Sequence, residues 1–347
     1  MTTLERFSRI RRATIGLCLA LASGCGDGPS KRPERVVVYT ALDREFSEPI
    51  LEEYAAANGI DIDVKYDTES TKTVGLTRLI MAEAGSPRCD LFWNNEILNT
   101  IRLDGLGLLQ PWTPASADAF PERFKSPSKT WYGFAARARV ILVNTELLPE
   151  AERPRSIFDL VKPRLRGRVA IAKPLFGTTA THAVCLFQRL GEERAAGFFR
   201  DLKANDVRVL SGNKQVATAV GSGEVAAGLT DTDDAIIEVE AGRPVAIIYP
   251  DRAPGEIGTL FLPNTLALIK GSPRSDAARK LADHLLSAAI EERLARGPSA
   301  QIPLHREARP NSRVETPATV EAMEVDFPAA VGLWDRVAAH LASEFGG

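Results

Sequence analysis

The segment at residues 230–234 is the most acidic of those that follow an apolar run, because Asp231, Asp233 and Asp234 lie within four residues. Carboxylates this close repel one another unless they are solvated, cap a helix or are neutralised by a cation. Oxygen ligands of this kind suit calcium, magnesium, manganese or a protonated amine. The segment therefore predicts contact with a ligand, and a helix cap is the alternative interpretation.

Two further segments place small polar residues before a helical pattern. Gly177, Thr178 and Thr179 begin one such pattern, and the segment SGNK at 211–214, which contains Asn213, stands at the start of another. Free N–H groups and hydroxyls at a helix start favour an anion or a polar ligand. Each segment is also compatible with an ordinary helix cap.

Amides, a carboxylate and an arginine occupy comparable places elsewhere in the chain. Asn94, Asn95 and Glu96 come directly after the apolar run 91–93. They either bind a ligand through hydrogen bonds or turn the chain into the next element. Arg137 precedes another apolar run, where an arginine either forms a salt bridge or holds a carboxylate or carbonate with two hydrogen bonds.

Sequence patterns that mark a catalytic site are absent. The chain has no GxSxG nucleophile elbow, no HExxH and no GxxxxGK[ST] phosphate loop. Its four histidines are scattered, and none has a cysteine or serine partner at a usable spacing. These absences argue against an enzyme.

Alternating strands and helices must position the polar segments. The apolar runs that predict strands are 36–40, 60–64, 89–93, 140–143, 169–171, 207–210, 226–229 and 266–269. The patterns that predict helices are 46–58, 73–84, 179–190, 193–203, 213–221, 232–241, 275–286 and 331–345. This alternation predicts βαβ units and a mostly parallel sheet, which binds ligands beyond the carboxyl ends of its strands. Thr40 and Asp43, which follow the first strand, thereby join the candidate site.

Composition limits the class of protein. The chain has 347 residues, of which 44% are hydrophobic and 25% charged, and its formal net charge is -2. These values exclude a disordered chain, and the length suggests two domains. A nucleic-acid binder normally carries a basic excess, so no nucleic-acid partner is expected.

The N-terminal segment reads as an export signal. Four arginines between residues 6 and 12 precede an apolar run at 13–22, which is too short to span a bilayer. Small residues directly before Cys25 resemble the bacterial lipoprotein signal, in which the cysteine is lipidated. We therefore predict a signal peptide and acylation site at 1–25 and a flexible tether at 26–35, with simple secretion as the alternative.

Two cysteines remain after the signal. Cys89 and Cys185 have neither the spacing of a metal site nor that of a redox pair. We expect two buried thiols, and a disulfide is the alternative that export permits.

The motifs, in their order along the chain, resemble the type 2 periplasmic solute-binding proteins of ABC importers, above all the ferric-iron-binding branch. The resemblance covers nearly all of the chain after the tether. It rests on VVVYT at 36–40, DLFW at 90–93, GFAARARV at 133–140, GTT at 177–179, GLTD at 228–231, GTL at 258–260 and AARKLA at 277–282.

The resemblance implies an α/β fold of two lobes, each a mostly parallel sheet flanked by helices, with two crossing strands as the hinge. Lobe 1 would comprise residues 36–136 and 256–347, and lobe 2 residues 137–255. The ligand would lie in the cleft between them. The implied partners of the monomer are an ABC permease and its ATPase subunits, with the lipid anchor holding it at a membrane.

The sequence departs from the ferric-iron-binding branch at the metal ligands. Those proteins present two adjacent tyrosines, whereas Asp233 and Asp234 stand at the matching positions here. Asp43 lies in the loop where some members carry a histidine ligand, and Glu96 or Asn95 lies near the usual glutamate. Arg137 matches an arginine that holds the synergistic anion. The resemblance thus implies an oxygen-rich, strongly negative metal site of Asp43, Glu96, Asp233 and Asp234.

We therefore expect a membrane-anchored receptor that captures a small cationic ligand or a metal ion for import. The bound ion would be ferric iron or a divalent cation, and an organic cation is the other form of this hypothesis. A true ferric-iron binder, with a synergistic anion at Arg137 and Thr178, is the first alternative. An exported enzyme on the same fold and a sensor for a signalling partner are alternatives of other classes.

Overall fold

A computed structural model describes residues 34–67, 73–311 and 313–346. The predicted signal peptide, Cys25 and nearly all of the predicted tether lie outside these residues. Within the described part of the chain, no helix has both the length and the apolar character needed to cross a bilayer.

Strands and helices alternate as the apolar patterns predict. The strands are β1 (Arg35–Thr40), β2 (Asp61–Tyr66), β3 (Leu91–Asn94), β4 (Leu109–Gln110), β5 (Trp131–Asn144), β6 (Val169–Ala172), β7 (Arg208–Leu210), β8 (Ala227–Asp231), β9 (Val245–Ile248) and β10 (Phe261–Ile269). The helices are α1 (Arg44–Asn58), α2 (Val74–Ala82), α3 (Leu98–Gly105), α4 (Gly177–Leu190), α5 (Glu192–Ala204), α6 (Asn213–Gly221), α7 (Thr232–Glu240), α8 (Ser275–Leu285), α9 (Ala288–Arg296), α10 (Phe327–Val331) and α11 (Trp334–Phe345).

The sheet is mixed. Its order is β2-β1-β3-β10-β5-β8-β6-β7, with β4 paired to β10 and β9 paired to β5. The strands β1, β2 and β3 are mutually parallel, as are β6, β7 and β8, whereas β5 and β10 run antiparallel to their neighbours. Two parallel groups of strands are thus joined through antiparallel strands.

The long strand β5 connects the two groups by exchanging partners along its length. Its first part pairs with β10 up to Ala138, and from Arg139 onward it pairs with β8 and β9. Every residue of β5 is buried. Strand β5 therefore crosses the molecule at the point where Arg137 and Arg139 leave it. The predicted lobe boundaries at 136/137 and 255/256 stay predictions.

Helices cover both groups of strands and complete the core. Helix α8 packs on β1, β3 and β10, and α6 packs on β6 and β8. Helix α1 ends at Asn58 and is followed by Gly59, whose left-handed φ of 61° favours a residue without a Cβ atom. Cys89 and Cys185 are buried and free, so the prediction of two thiols is confirmed.

Candidate functional site

A pocket opens where several strands end and several helices begin. About 480 Å³ of space there, part of it open to solvent, is not filled by protein atoms, and the centre of a water-sized sphere can occupy about 30 Å³ of it. Ten of the thirteen residues predicted as ligand contacts line it. They are Asp43, Asn95, Arg137, Gly177, Thr178, Thr179, Asn213, Asp231, Asp233 and Asp234.

Arg139 lies behind the pocket wall, and its guanidinium forms hydrogen bonds with several side chains. Its guanidinium donates to Asp231 Oδ1 at 2.7 Å and to Asn213 Oδ1 at 3.1 Å. The hydroxyls of Thr178 and Thr179 accept from the same guanidinium at 3.3 Å. Thr178 and the Asn213 amide also donate to the second oxygen of Asp231. Asp231 is therefore fully engaged within the protein.

His182 belongs to the same buried group. Its Nδ1 accepts from Nε of Arg139 at 3.4 Å. Burial, and next the positive charge of Arg139, lower the pKa of His182 well below its usual value. The imidazole is therefore neutral and serves Arg139 rather than the pocket.

Arg137 lies two residues earlier on β5 and lines the pocket. Its Nη1 donates to the backbone carbonyl of Asn95 at 3.0 Å and its Nη2 to Asn264 Oδ1 at 3.1 Å. Its Nε is 3.3 Å from Asp233 Oδ2. Burial alone would lower the pKa of Arg137, but the carboxylates of Asp233 and Asp231 outweigh burial and raise it. Arg137 is thus a permanent buried cation opposite Asp233.

The charge of the pocket differs from the expected one. Sequence reasoning weighed the carboxylates and expected a strongly negative site. The structure sets four cations against the four aspartates, because Arg137, Lys173 and Lys214 line the pocket and Arg139 backs it. The formal charges cancel, so the expectation of a strongly negative site is wrong.

Two helices direct their N-termini at the pocket. Helix α4 begins at Gly177 and α6 at Asn213, and both residues line the pocket. Neither helix has an acidic residue in its first turn, and no side chain in the described part of the chain caps either one. Helix α7 differs because Asp233 and Asp234 occupy its first turn. The backbone N–H groups of α4 and α6 therefore form a positive edge that suits an anion.

Two polar atoms of pocket residues lack a hydrogen-bond partner among the described residues. They are Oδ1 of Asn95 and Nε of Arg137, whose contact with Asp233 is an ion pair without hydrogen-bond geometry. Both side chains are more than nine-tenths buried. A buried polar group left unpaired costs about 1–3 kcal/mol. A polar ligand that bonded these atoms would recover that free energy.

Glu96 was predicted as a metal ligand, and the structure corrects this. Its buried carboxylate accepts from the side chains of Asn94 and Thr181, each at 2.8 Å. It also accepts the backbone N–H groups of Leu98 at 2.7 Å and Asn99 at 3.0 Å, at the start of α3. Burial raises the pKa of Glu96 despite these donors. Glu96 caps a helix and does not line the pocket.

Thr40 and Asn94, also predicted as ligand contacts, hold the backbone instead. The Thr40 hydroxyl accepts the N–H of Leu42 at 3.2 Å, and Oδ1 of Asn94 accepts the N–H of Asn95 at 3.0 Å. Both side chains are fully buried, and neither lines the pocket. The structure thus removes them from the candidate site.

The strand-end rule marks the segments 174–179 and 211–214, and more of their residues line the pocket than were predicted as ligand contacts. Phe176, Ser211, Gly212 and Lys214 belong to these segments. Lys173 directly follows β6, lies one residue before the first segment and was missed.

The aspartates retain the spacing of a metal site. Asp231, Asp233 and Asp234 each offer an oxygen within 4.8 Å of the others. However, Arg139 engages Asp231 and Arg137 faces Asp233. No tyrosine of the described residues lines the pocket. A metal ion here would compete with two buried arginines for its ligands.

Comparison with known proteins adds a family and a fold. A sequence model described as "bacterial extracellular solute-binding protein" matches residues 94–328. The major ferric iron-binding protein of Neisseria meningitidis serogroup A is 24% identical over 295 residues, which cover 84% of this chain and 87% of that protein.

Two solved structures share the architecture. Iron-bound HitA from Pseudomonas aeruginosa superposes with a TM-score of 0.81 at 21% identity, covering 90% of this chain and 99% of that one. AfuA from Actinobacillus pleuropneumoniae, with fructose-6-phosphate bound, gives a TM-score of 0.80 at 21% identity, covering 90% and 98%. Such neighbours are two-lobed periplasmic binding proteins, so the predicted fold class and the resemblance are confirmed.

Proposed function

Because the chain belongs to the bacterial extracellular solute-binding proteins, we propose that it is the receptor of an ABC importer. It captures a small solute in the pocket around Arg137 and delivers it to a permease that an ATPase drives. A lipid on Cys25 holds the monomer at a membrane. Export is supported by the relative from Neisseria meningitidis and by the solved structures, which are periplasmic binding proteins.

The solute carries an anionic group, such as a phosphate, phosphonate or carboxylate. One observation carries this assignment: α4 and α6 both begin at the pocket without an acidic residue or a side-chain cap. Lys173 and Arg137 line the same pocket and add positive charge. Oδ1 of Asn95 supplies an acceptor for a donor group elsewhere on the solute.

Ferric iron or another cation is the second candidate, and the three aspartates favour it. Their oxygens lie close enough to share an ion, and the relative from Neisseria meningitidis is named for ferric iron. The cost is electrostatic, because the ion must approach Arg137 and draw Asp233 away from it. An anion bound together with the metal would offset that cost.

An enzyme on this fold is the remaining class. The matched family is described as a solute-binding protein, and AfuA as a periplasmic binding protein. Saturable binding without turnover of the bound compound supports the receptor. Chemical change of any bound compound would support the enzyme.

Thermal melting of the purified protein, stripped with a chelator, tests the ligand class. The compounds are inorganic phosphate, phosphonates, a sugar phosphate, ferric citrate, divalent metals, polyamines and thiamine. A ligand at a hundred times its dissociation constant, bound only by the folded protein, adds about 2.7 kcal/mol of stability. Stabilisation by a phosphorus- or carboxylate-bearing compound supports the proposal. Stabilisation by a metal or an organic cation alone overturns it.

A further inference from the structure

Strand β5 has an irregular conformation just before Arg137. Ala135 has a φ of 41°, in the left-handed region that a residue with a Cβ atom rarely adopts. The register between β5 and β10 shifts between Leu262 and Asn264, at the same level. The backbone therefore needs specific support at this point, and the direction of the Arg137 side chain depends on it.

Glu291 of α9 provides part of that support. It is fully buried, and its carboxylate accepts the backbone N–H groups of Ala135, Leu304 and His305, the bond to Leu304 being 2.8 Å long. The adjacent Ala136 exchanges two backbone hydrogen bonds of 2.7 Å with Ile302. Helix α9 and the segment that follows it thus hold β5 from outside the pocket.

Asn264 of β10 links this support to the arginine. Its amide nitrogen donates to the carbonyl of Ala135 and, at 3.0 Å, to Oε1 of Gln301. Its Oδ1 accepts from Nη2 of Arg137 at 3.1 Å. One buried side chain therefore connects the irregular backbone, the C-terminal segment and the guanidinium. Neither Asn264 nor Glu291 lines the pocket.

We propose that Asn264 and Glu291 are positioning residues that set the Arg137 guanidinium in the pocket. Glu291 fixes the backbone at Ala135, and Asn264 transmits that geometry to Nη2. Ligand affinity thereby depends on residues 288–305, which do not touch the ligand. The effect on affinity rests on the proposed function, whereas the effect on the guanidinium does not.

Arginine side-chain NMR of the whole protein tests the proposal without a ligand. The Nε–Hε signals of Arg137 and Arg139 are assigned from the variants Arg137→Lys and Arg139→Lys. In Asn264→Ala we expect the Arg137 signal to shift or broaden while the Arg139 signal stays in place, since Arg139 has its own partners. Glu291→Gln is expected to act in the same direction.

Asn144→Ala is the matched control. Asn144 is likewise a buried asparagine, lies at the far end of β5 and donates to the carbonyl of Val220 at 2.9 Å. It should lose stability without moving the Arg137 signal. An unchanged Arg137 signal in folded Asn264→Ala, or an equal change in Asn144→Ala, overturns the proposal. Asn264→Ser replaces the alanine variant if that variant fails to fold.

A double-mutant cycle with inorganic phosphate as the probe adds the functional arm. Asn264→Ala should weaken phosphate binding about tenfold in the wild-type protein and have no further effect in Arg137→Lys. Equal losses in both backgrounds would show that Asn264 acts independently of Arg137. If phosphate does not bind at all, the proposed function is in doubt, and the NMR result still decides the positioning role.

Discussion

Two arginines on one strand, two residues apart, have opposite relations to the pocket. Arg139 is fully buried and faces partners from β8, α4 and α6. Arg137 lines the pocket, is held by Asn95 and Asn264, and keeps a buried Nε without a hydrogen bond. Arg139 therefore links the elements around β6, β7 and β8 to one another. Arg137 is held from the side of β3 and β10 and remains available to a solute.

Removing Arg139 should have the largest effect. Arg139→Ala leaves Asp231 as a buried carboxylate without its cation, which typically costs about 3–5 kcal/mol. Urea unfolding, followed by circular dichroism, measures the loss. A loss below about 1 kcal/mol would contradict the structural role assigned to Arg139.

The contribution of Glu291 to the stability of the protein should depend on pH. Burial raises the pKa of Glu291 from 4.5 to about 7, in spite of its three backbone donors. The folded state then binds a proton that the unfolded state has released, so the contribution of Glu291 to stability is full below pH 4.5 and is lost as the pH rises through 7. The limiting slope is about 1.4 kcal/mol per pH unit.

Glu291→Gln isolates that contribution because the other groups titrate in both proteins. Urea unfolding at pH 5 and pH 7.5 measures the unfolding free energy of the wild-type protein and of Glu291→Gln. The wild-type protein should be less stable relative to Glu291→Gln at pH 7.5 than at pH 5. A difference that does not change with pH would show that Glu291 has an ordinary pKa.

Arg137→Lys should affect binding more than stability. Lysine keeps the positive charge but cannot reach Asn95, Asn264 and the solute with one planar group. We expect at least about a tenfold loss of affinity, or about 1.4 kcal/mol, for the compound that stabilises the wild-type protein most. Titration calorimetry measures the affinity. In the control Arg139→Lys we expect a loss of stability that is larger than the loss of affinity. If Arg137→Lys mainly lost stability and Arg139→Lys mainly lost affinity, the roles of the two arginines would be exchanged.

Lys173→Ala should give the smallest effect. Lys173 lines the pocket beside the start of α4, and no hydrogen bond or ion pair of its side chain is found within the described part of the chain. We expect a several-fold loss of affinity for an anionic solute and no change in melting temperature. Lys203→Ala is the matched control, since Lys203 does not line the pocket and pairs with Glu344 at 3.2 Å. Tighter binding by Lys173→Ala would favour a cationic solute.

The double variant Asp233→Ala with Asp234→Ala separates the two ligand classes. Loss of all binding with retained folding is the outcome that a cation or metal site requires. Retained binding of a phosphate-bearing compound is the outcome that the helix N-termini predict. Ligand titration by calorimetry distinguishes them.

The strand-end rule located the pocket from sequence because parallel strands with helical returns bring their carboxyl ends to one edge. The same rule could not predict that cations would balance the charge of the aspartates in the pocket. The pairing of Arg139 with Asp231 joins residues 92 positions apart, and nothing local in the sequence marks it. Lys173 was missed because a single lysine after a strand has no distinguishing pattern.

Some predictions failed because the sequence patterns did not reveal a helix or part of a strand. Glu96 was predicted as a metal ligand because the resemblance places the usual glutamate near it, and α3 (Leu98–Gly105) was not predicted. With that helix in place, the capping role of Glu96 follows. The first part of β5 was missed because Gly133, Arg137 and Arg139 interrupt its apolar character. Helix α9 was missed as well, and with it the role of Glu291.

Native mass spectrometry of the protein as it is purified from the bacterial periplasm tests the central claim most directly. Released solute is identified by its mass, and Arg137→Lys serves as the matched preparation. We expect a bound small molecule that carries phosphate, phosphonate or carboxylate and is depleted in Arg137→Lys. A mass increment from a metal ion alone, equally present in both preparations, would contradict it.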